Sequence, residues 1–465
     1  MTGRQGPALS RRSLIGAGLG ISAAGLTAAG TAQAVAAGSA GARPSAGPAR
    51  GHAFLAAAMD AYPDQGRIRL TQSYTDQAGL FSTAFTYDNA LAILAHLAAR
   101  TPAGLTRAET LGDALLHAQD HDPTHDDGRL RQAYNTGPYT FYDGSLQPDG
   151  FVRADGTANV GTQFGFTGTA VGDMAWAGIA LSALARRTGA RRFLTGAVRI
   201  GEWIERTGRT DEPLGGYKFG VDGANQKLPF TSTEHNTDLV CLFGRLALLT
   251  GDRVWRERRA RAEAFVKRMW EPSGGFFYTG TNDGVTVNKS PIPEDTQTWT
   301  HLAFGSRDRG CSRSLDWAGA KLAVLDHSGR TNSTVPAGQS YEGVTFSSAS
   351  LLANEGAPIA DGQPKPDRNG VWFEGTAHLA LALRDRGARG DEARARRLLD
   401  SIEQAQELLG GTQTVGGRAL PERSGVVSAS SPLDTGFGFG YYPYRHTGAT
   451  AWYLMAAARF NPFRV

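Results

Sequence analysis

Two cysteines in 465 residues exclude a disulfide framework, and neither has a metal-type or Cys–His catalytic spacing. Pairing outside a cell is open to Cys241 and Cys311. The first falls well inside a predicted helix and the second in a polar loop, so both are expected as thiols. No Asp-x-Asp-x-Asp loop is present, and neither a metal nor another cofactor is expected. Surplus positive charge is also scarce. The net charge is +4, and three of those charges (Arg4, Arg11 and Arg12) belong to a segment read below as removable. One surplus charge excludes nucleic acid as a partner, because phosphate binding needs a concentrated basic surface. The densest basic run, Arg256-Glu257-Arg258-Arg259-Ala260-Arg261, reads as a solvated helix face. Disorder is excluded too, since 41% apolar and 20% charged residues describe a globular chain.

Residues 1–34 are an address. Ser10-Arg11-Arg12-Ser13 precedes a weakly apolar Gly/Ala stretch and then Ala32-Gln33-Ala34, which fits a twin-arginine export signal with a small-x-small cleavage site. The stretch is too Gly-rich for a firm membrane span, although a retained anchor is the alternative. Secretion is expected, with no membrane association after cleavage. Residues 35–50, rich in Ala, Gly, Pro and Ser, read as a linker, and 51–465 as one domain.

Helical apolar spacing recurs there in pairs: 86–100 with 104–120, 168–188 with 190–206, 233–249 with 252–270, 294–304 with 314–328, and 371–387 with 390–409. Segments 51–62 and 447–460 are left over and complete a sixth pair. First members, such as Leu239-Val240-Cys241-Leu242-Phe243, are apolar on most sides, whereas second members carry a single stripe. The former must be inside and the latter outside. The expected fold is all-α, an (α/α)6 toroid with minor β-hairpins, rather than an open solenoid. Long Gly- and aromatic-rich loops such as Gly436-Phe437-Gly438-Phe439-Gly440-Tyr441-Tyr442 would gather at one end, and loops of that length tend to be functional.

The inner-helix starts carry acids: Asp88, Asp173, Glu234, Asp295 and Glu374, with His446 at the sixth. In a toroid all six meet at one mouth. Any one of the acids is more simply a helix cap. Five together, beside Tyr87, Trp176, Tyr217, Trp299 and Trp372, suit a sugar: ring faces stack while hydroxyls find acceptors. Each aromatic is as readily ordinary core. Two carboxylates flanking a glycosidic bond would supply acid and base.

Ser-Thr-Glu-His-Asn at 232–236, Trp-Phe-Glu-Gly-Thr at 372–376 and Tyr-Asp-Asn-Ala-Leu-Ala at 87–92, together with the paired helices, resemble the six-hairpin glycosidase superfamily. The resemblance covers residues 51–465 and implies an enzyme on an extracellular or cell-wall glycan. That superfamily holds hydrolases and lyases, so fold alone does not fix the reaction. An inverting hydrolase is expected. Glu234 would be proton donor, its apolar and aromatic company suiting that role; Asp88 would be base, with Glu374 its rival. His235, Asn236, Gln297 and Trp299 would contact substrate, although His235 is equally a packed core histidine. A lyase built on Tyr217, Lys218 and His235 is one alternative. A noncatalytic glycan-binding toroid is another.

Overall fold

The computed structural model describes residues 46–62, 67–305 and 308–464. The export signal therefore lies outside the described residues. Helix α1 (Gly47–Met59) stands first. Five pairs follow: α2 (Thr86–Ala98) with α3 (Pro102–Asp120), α4 (Val171–Thr188) with α5 (Arg191–Gly208), α6 (Thr233–Thr250) with α7 (Val254–Arg268), α8 (Glu294–Phe304) with α9 (Arg309–Lys321), and α10 (Phe373–Arg386) with α11 (Asp391–Leu408). Helix α12 (Thr447–Ala457) is last. The even-numbered helices are the inner ring, each touching the next, and α12 touches both α10 and α2. Helix α1 lies on the outside of α12, so its Gly51 rests on Leu454, where a Cβ would come 3.0 Å from the leucine side chain. The ring is closed by the two segments that sequence left unpaired.

Burial follows the apolar pattern. Helix α6 is buried at almost every position, whereas α7 buries only Trp255, Ala262, Phe265 and Val266. Ser232 caps α6 by accepting from His235 N, and Gly251 ends it at φ 74°, a conformation that needs no Cβ. None of the described helices is long and apolar enough to cross a membrane.

Two expected boundaries move. Helix α1 begins at Gly47, inside the stretch read as linker, with proline in its first turn where the missing N–H costs nothing. The helix expected over 314–328 ends at Lys321. From there Ala323, Val324, Leu325 and Asp326 alternate between exposed and buried, and Ala323–His327 pairs as a strand with Ser340–Val344.

The backbone carries a sixfold repeat that residue identity hides. The first residue of each inner helix donates its N–H to the loop leading into the next one: Thr86 to Gln132, Val171 to Phe219, Thr233 to Thr279, Glu294 to Phe346, Phe373 to Ser428 and Thr447 to Ser73. The fourth residue of each accepts from its own leading loop, always two residues before that acceptor. The pairs are Asn89 with Thr71, Met174 with Leu130, Asn236 with Tyr217, Gln297 with Phe277, Thr376 with Val344 and Thr450 with Val426. Leaving one of these buried N–H groups unmatched would cost about 1–3 kcal/mol. The girdle fixes where each inner helix starts, and therefore which residues reach the mouth.

Candidate active site

A helix turns by about 100° per residue, so consecutive residues at an inner-helix start face different neighbours. Second and sixth residues face the axis. The sixth layer contains Trp176, Trp299, His378 and Trp452. Trp176 lies 5.1 Å from Trp299 and 5.6 Å from Trp452, and His378 sits 4.3 Å from Trp452. Phe463 closes the layer from the far side, 5.1 Å from Trp176. One turn above lie Tyr87, Gly172, Glu234, Asp295, Glu374 and Gly448. Tyr87 spans the axis from α2 to Trp299 on α8, at 6.2 Å. Its hydroxyl accepts from Trp452 Nε1 at 2.9 Å and donates to Glu374 Oε1 at 2.7 Å.

Ring order sets α6 opposite α12 and α4 opposite α10. The Glu234 position therefore lies opposite the Gly448 position in the ring, and that of Glu374 opposite Gly172. A Cβ on Gly448 would stand 2.7 Å from Asp88 Oδ1 and 3.1 Å from Glu374 Oε2, so this glycine keeps the space between two carboxylates open. Its backbone is helical, but an added Cβ would also stand 2.7 Å from His446 Cε1, so buried side chains must give way. We expect Gly448→Ala to melt earlier than wild type and to lose about 10²-fold in activity, the scale on which misplaced reacting groups act. Matched melting curves and turnover numbers check this; full activity would show that the space is not used.

His446 caps α12 and organises the same corner. Its Nδ1 accepts from Ala449 N at 3.2 Å, which places the proton on Nε2, 3.1 Å from Asp88 Oδ2. Asp88 thus accepts an N–H from His446. Nδ1 also lies 3.6 Å from Glu374 Oε2, beyond hydrogen-bond reach, so one imidazole sits beside both rival bases. Tyr74 stacks on that ring at 4.1 Å.

Glu294, the first residue of α8, was not anticipated: of the Glu294-Asp295 pair, the sequence pointed to Asp295. Glu294 is fully buried, and that burial, followed by the negative charges of Asp295 and Glu374, pushes its carboxyl well above the usual range. Glu294 Oε2 is 3.2 Å from His378 Nδ1, and His378 Nε2 is 3.7 Å from Glu374 Oε1. His378, Tyr74 and Trp452 were missed as well. His378 and Trp452 sit mid-helix among apolar residues, and Tyr74 sits in a loop with no motif around it.

Asp88, Glu374, Tyr87 and His446 come together, whereas Glu234, Asp295 and Asp173 are placed by their positions in the first turns of α6, α8 and α4 in the same ring. Other candidates take packing positions. Trp176, Trp299 and Trp372 are fully buried and present no face to a ligand. Trp372 lies 4.7 Å from Phe346 in a second aromatic cluster. Tyr217 is buried, its hydroxyl 2.7 Å from Glu205 Oε2. The amides of Asn236 and Gln297 are held by backbone in the girdle. His235 packs on Phe219 at 4.3 Å, the core reading of that residue. Lys218 is paired with Glu212 at 2.5 Å, so the three groups offered for a lyase point to different partners.

Neither a family model nor a curated protein matches the chain. Solved structures do. A D-mannose isomerase superposes with TM-score 0.57 at 13% identity, over 90% of this chain and 96% of that one. A cellobiose 2-epimerase from Spirochaeta thermophila gives 0.55 at 14%, over 89% and 96%. An alpha-amylase from Clostridium perfringens gives 0.52 at 10%, over 90% and 99%. The chain shares the (α/α)6-toroid fold of these structures. Within that fold the mouth acids, His446 and the aromatic floor occupy the end from which the inner helices start.

Proposed function

We propose that this chain is a carbohydrate-active enzyme that is exported and hydrolyses glycosidic bonds in an extracellular or cell-wall glycan. The observation that carries the reading is the opposition of Glu234, on α6, to the Asp88–His446–Glu374 corner across one mouth. A bond lying between them would meet a proton donor on one side and a base-activated water on the other. Asp88 is the better base. It retains slight exposure and accepts a hydrogen bond from His446 Nε2–H, while Glu374 is fully buried beneath Tyr87. Names of similar solved structures, an alpha-amylase and glycosidases among them, support sugar chemistry in general. Export rests on Arg11 and Arg12. Changing both to lysine is expected to leave the protein in the producing cell, and unchanged secretion on a blot of the medium would reject that route.

A second reading has an observation of its own. His446 touches Asp88, lies near Glu374 and stacks under Tyr74, an arrangement that could also move a proton at a sugar carbon. Mannose isomerase and cellobiose 2-epimerase are among the similar structures. Turnover in D2O separates the two. Hydrolysis yields new reducing ends with no carbon-bound deuterium; epimerisation or isomerisation incorporates deuterium at carbon and yields no new ends.

A further inference from the structure

We infer that the tyrosine-lined cleft beside His446 binds uncharged sugar residues, which makes the substrate a neutral oligo- or polysaccharide; this rests on the sugar-cleaving reading above. The cleft holds about 120 Å³, and its walls include Tyr74, Tyr441, Tyr442, Tyr444, Gln77 and Gln363. Among the described residues, no Lys, Arg, His, Asp or Glu lines it. Tyrosine rings and glutamine amides offer what a pyranose needs, an apolar face to stack on and neutral groups for hydroxyls. Tyr74 joins the cleft to the mouth, since its ring lies flat on His446 at 4.1 Å and 10°. A uronate or sulfate entering here would lose water without meeting a cation. It would then approach Asp88, Glu374 and Glu234, which adds like-charge repulsion.

The aromatic surface continues past Leu80 in the cleft wall. Phe81 is held at φ 48°, a costly conformation for a bulky residue. Tyr139 stacks on it at 4.8 Å and 7°, and Tyr142 lies 4.8 Å away with its hydroxyl anchored 2.6 Å from Gly79 O. Tyr142 is half exposed. That shelf would meet the next sugar along the chain.

The test titrates the purified protein by calorimetry with gluco-, manno- and xylo-oligosaccharides of increasing length and with oligogalacturonates, following cleavage in parallel. Affinity for one neutral series should rise with length, by about tenfold for each stacking position filled. Tyr442→Ala and Tyr444→Ala should each remove that rise, while Tyr442→Phe keeps it; Gln363→Ala replaces any alanine variant that melts early. Oligogalacturonates binding as tightly as neutral chains would overturn the inference, as would no binding to any neutral series. Cleavage whose length dependence survives every variant sinks the cleft and spares the hydrolase. Length-dependent binding lost in the variants, with no product from the wild type, does the reverse.

Discussion

Glu234→Gln should lower kcat by about 10²–10⁴-fold, the usual contribution of general acid–base help, while leaving the melting temperature nearly unchanged. Glutamine preserves the volume of glutamate and much of its hydrogen-bonding shape but cannot donate a carboxylic proton. The competing explanation is a helix cap, whose loss would cost about 1 kcal/mol of stability and little activity. That explanation is weak at this position, because Ser232 already caps α6 through His235 N at 3.3 Å. Glu234 is the second residue of the helix and faces the axis, opposite a glycine. Asp88→Asn and Glu374→Gln belong beside it. Asparagine at 88 can still meet His446 but carries no charge, so a comparable loss there identifies the base. Should Glu374→Gln lose more than Asp88→Asn, the roles of the two are exchanged. Wild-type turnover by Glu234→Gln on a cleaved substrate would reject the assignment outright.

The ring and its mouth were legible because hydrophobic periodicity reports burial directly. Leu239–Phe243 can only be an inner helix, and two unpaired segments at the ends of a helix count demand closure. The mouth acids were legible as helix starts. What the sequence does not display is rotation. Asp88 is a third residue and Glu374 a second, so they point differently on their own helices, yet His446 sits beside both. Asn236 and Gln297 look like sugar ligands when written beside Glu234 and Asp295. Both are fourth residues, and the girdle claims fourth residues in all six units, whether they are amide, hydroxyl or thioether. Because the six residues divide among three chemistries, no comparison of residue identity exposes the repeat. Trp176 and Trp299 failed as platforms for a related reason. A sixth residue lies one turn deeper than a second, and at that depth the ring is filled.

That filling leads to the other large effect. Phe463→Ala should cost about 3–5 kcal/mol, the range for truncating a buried phenylalanine, although the residue lies beyond the last described helix. A phenylalanine in a loose segment would cost almost nothing. This one is tied down. Asn461 Nδ2 donates to Leu302 O at 3.0 Å, and its Oδ1 accepts from Phe463 N at 2.9 Å. Arg245, buried in α6, donates to Pro462 O at 2.9 Å and to Arg464 O at 2.6 Å. These contacts hold the ring against Trp176 at 5.1 Å and Trp299 at 5.9 Å, at the centre of the toroid. Alanine would leave a cavity walled by indoles, which stays dry and admits a small aromatic molecule. Urea titration should therefore show a lowered midpoint that benzene or indole partly restores. The same tryptophans support Tyr87 and, through it, Glu374, so turnover should fall with stability and recover with the added aromatic. A midpoint within about 0.5 kcal/mol of wild type, the scale of ordinary surface changes, would mean that the tail lies on the ring without filling it.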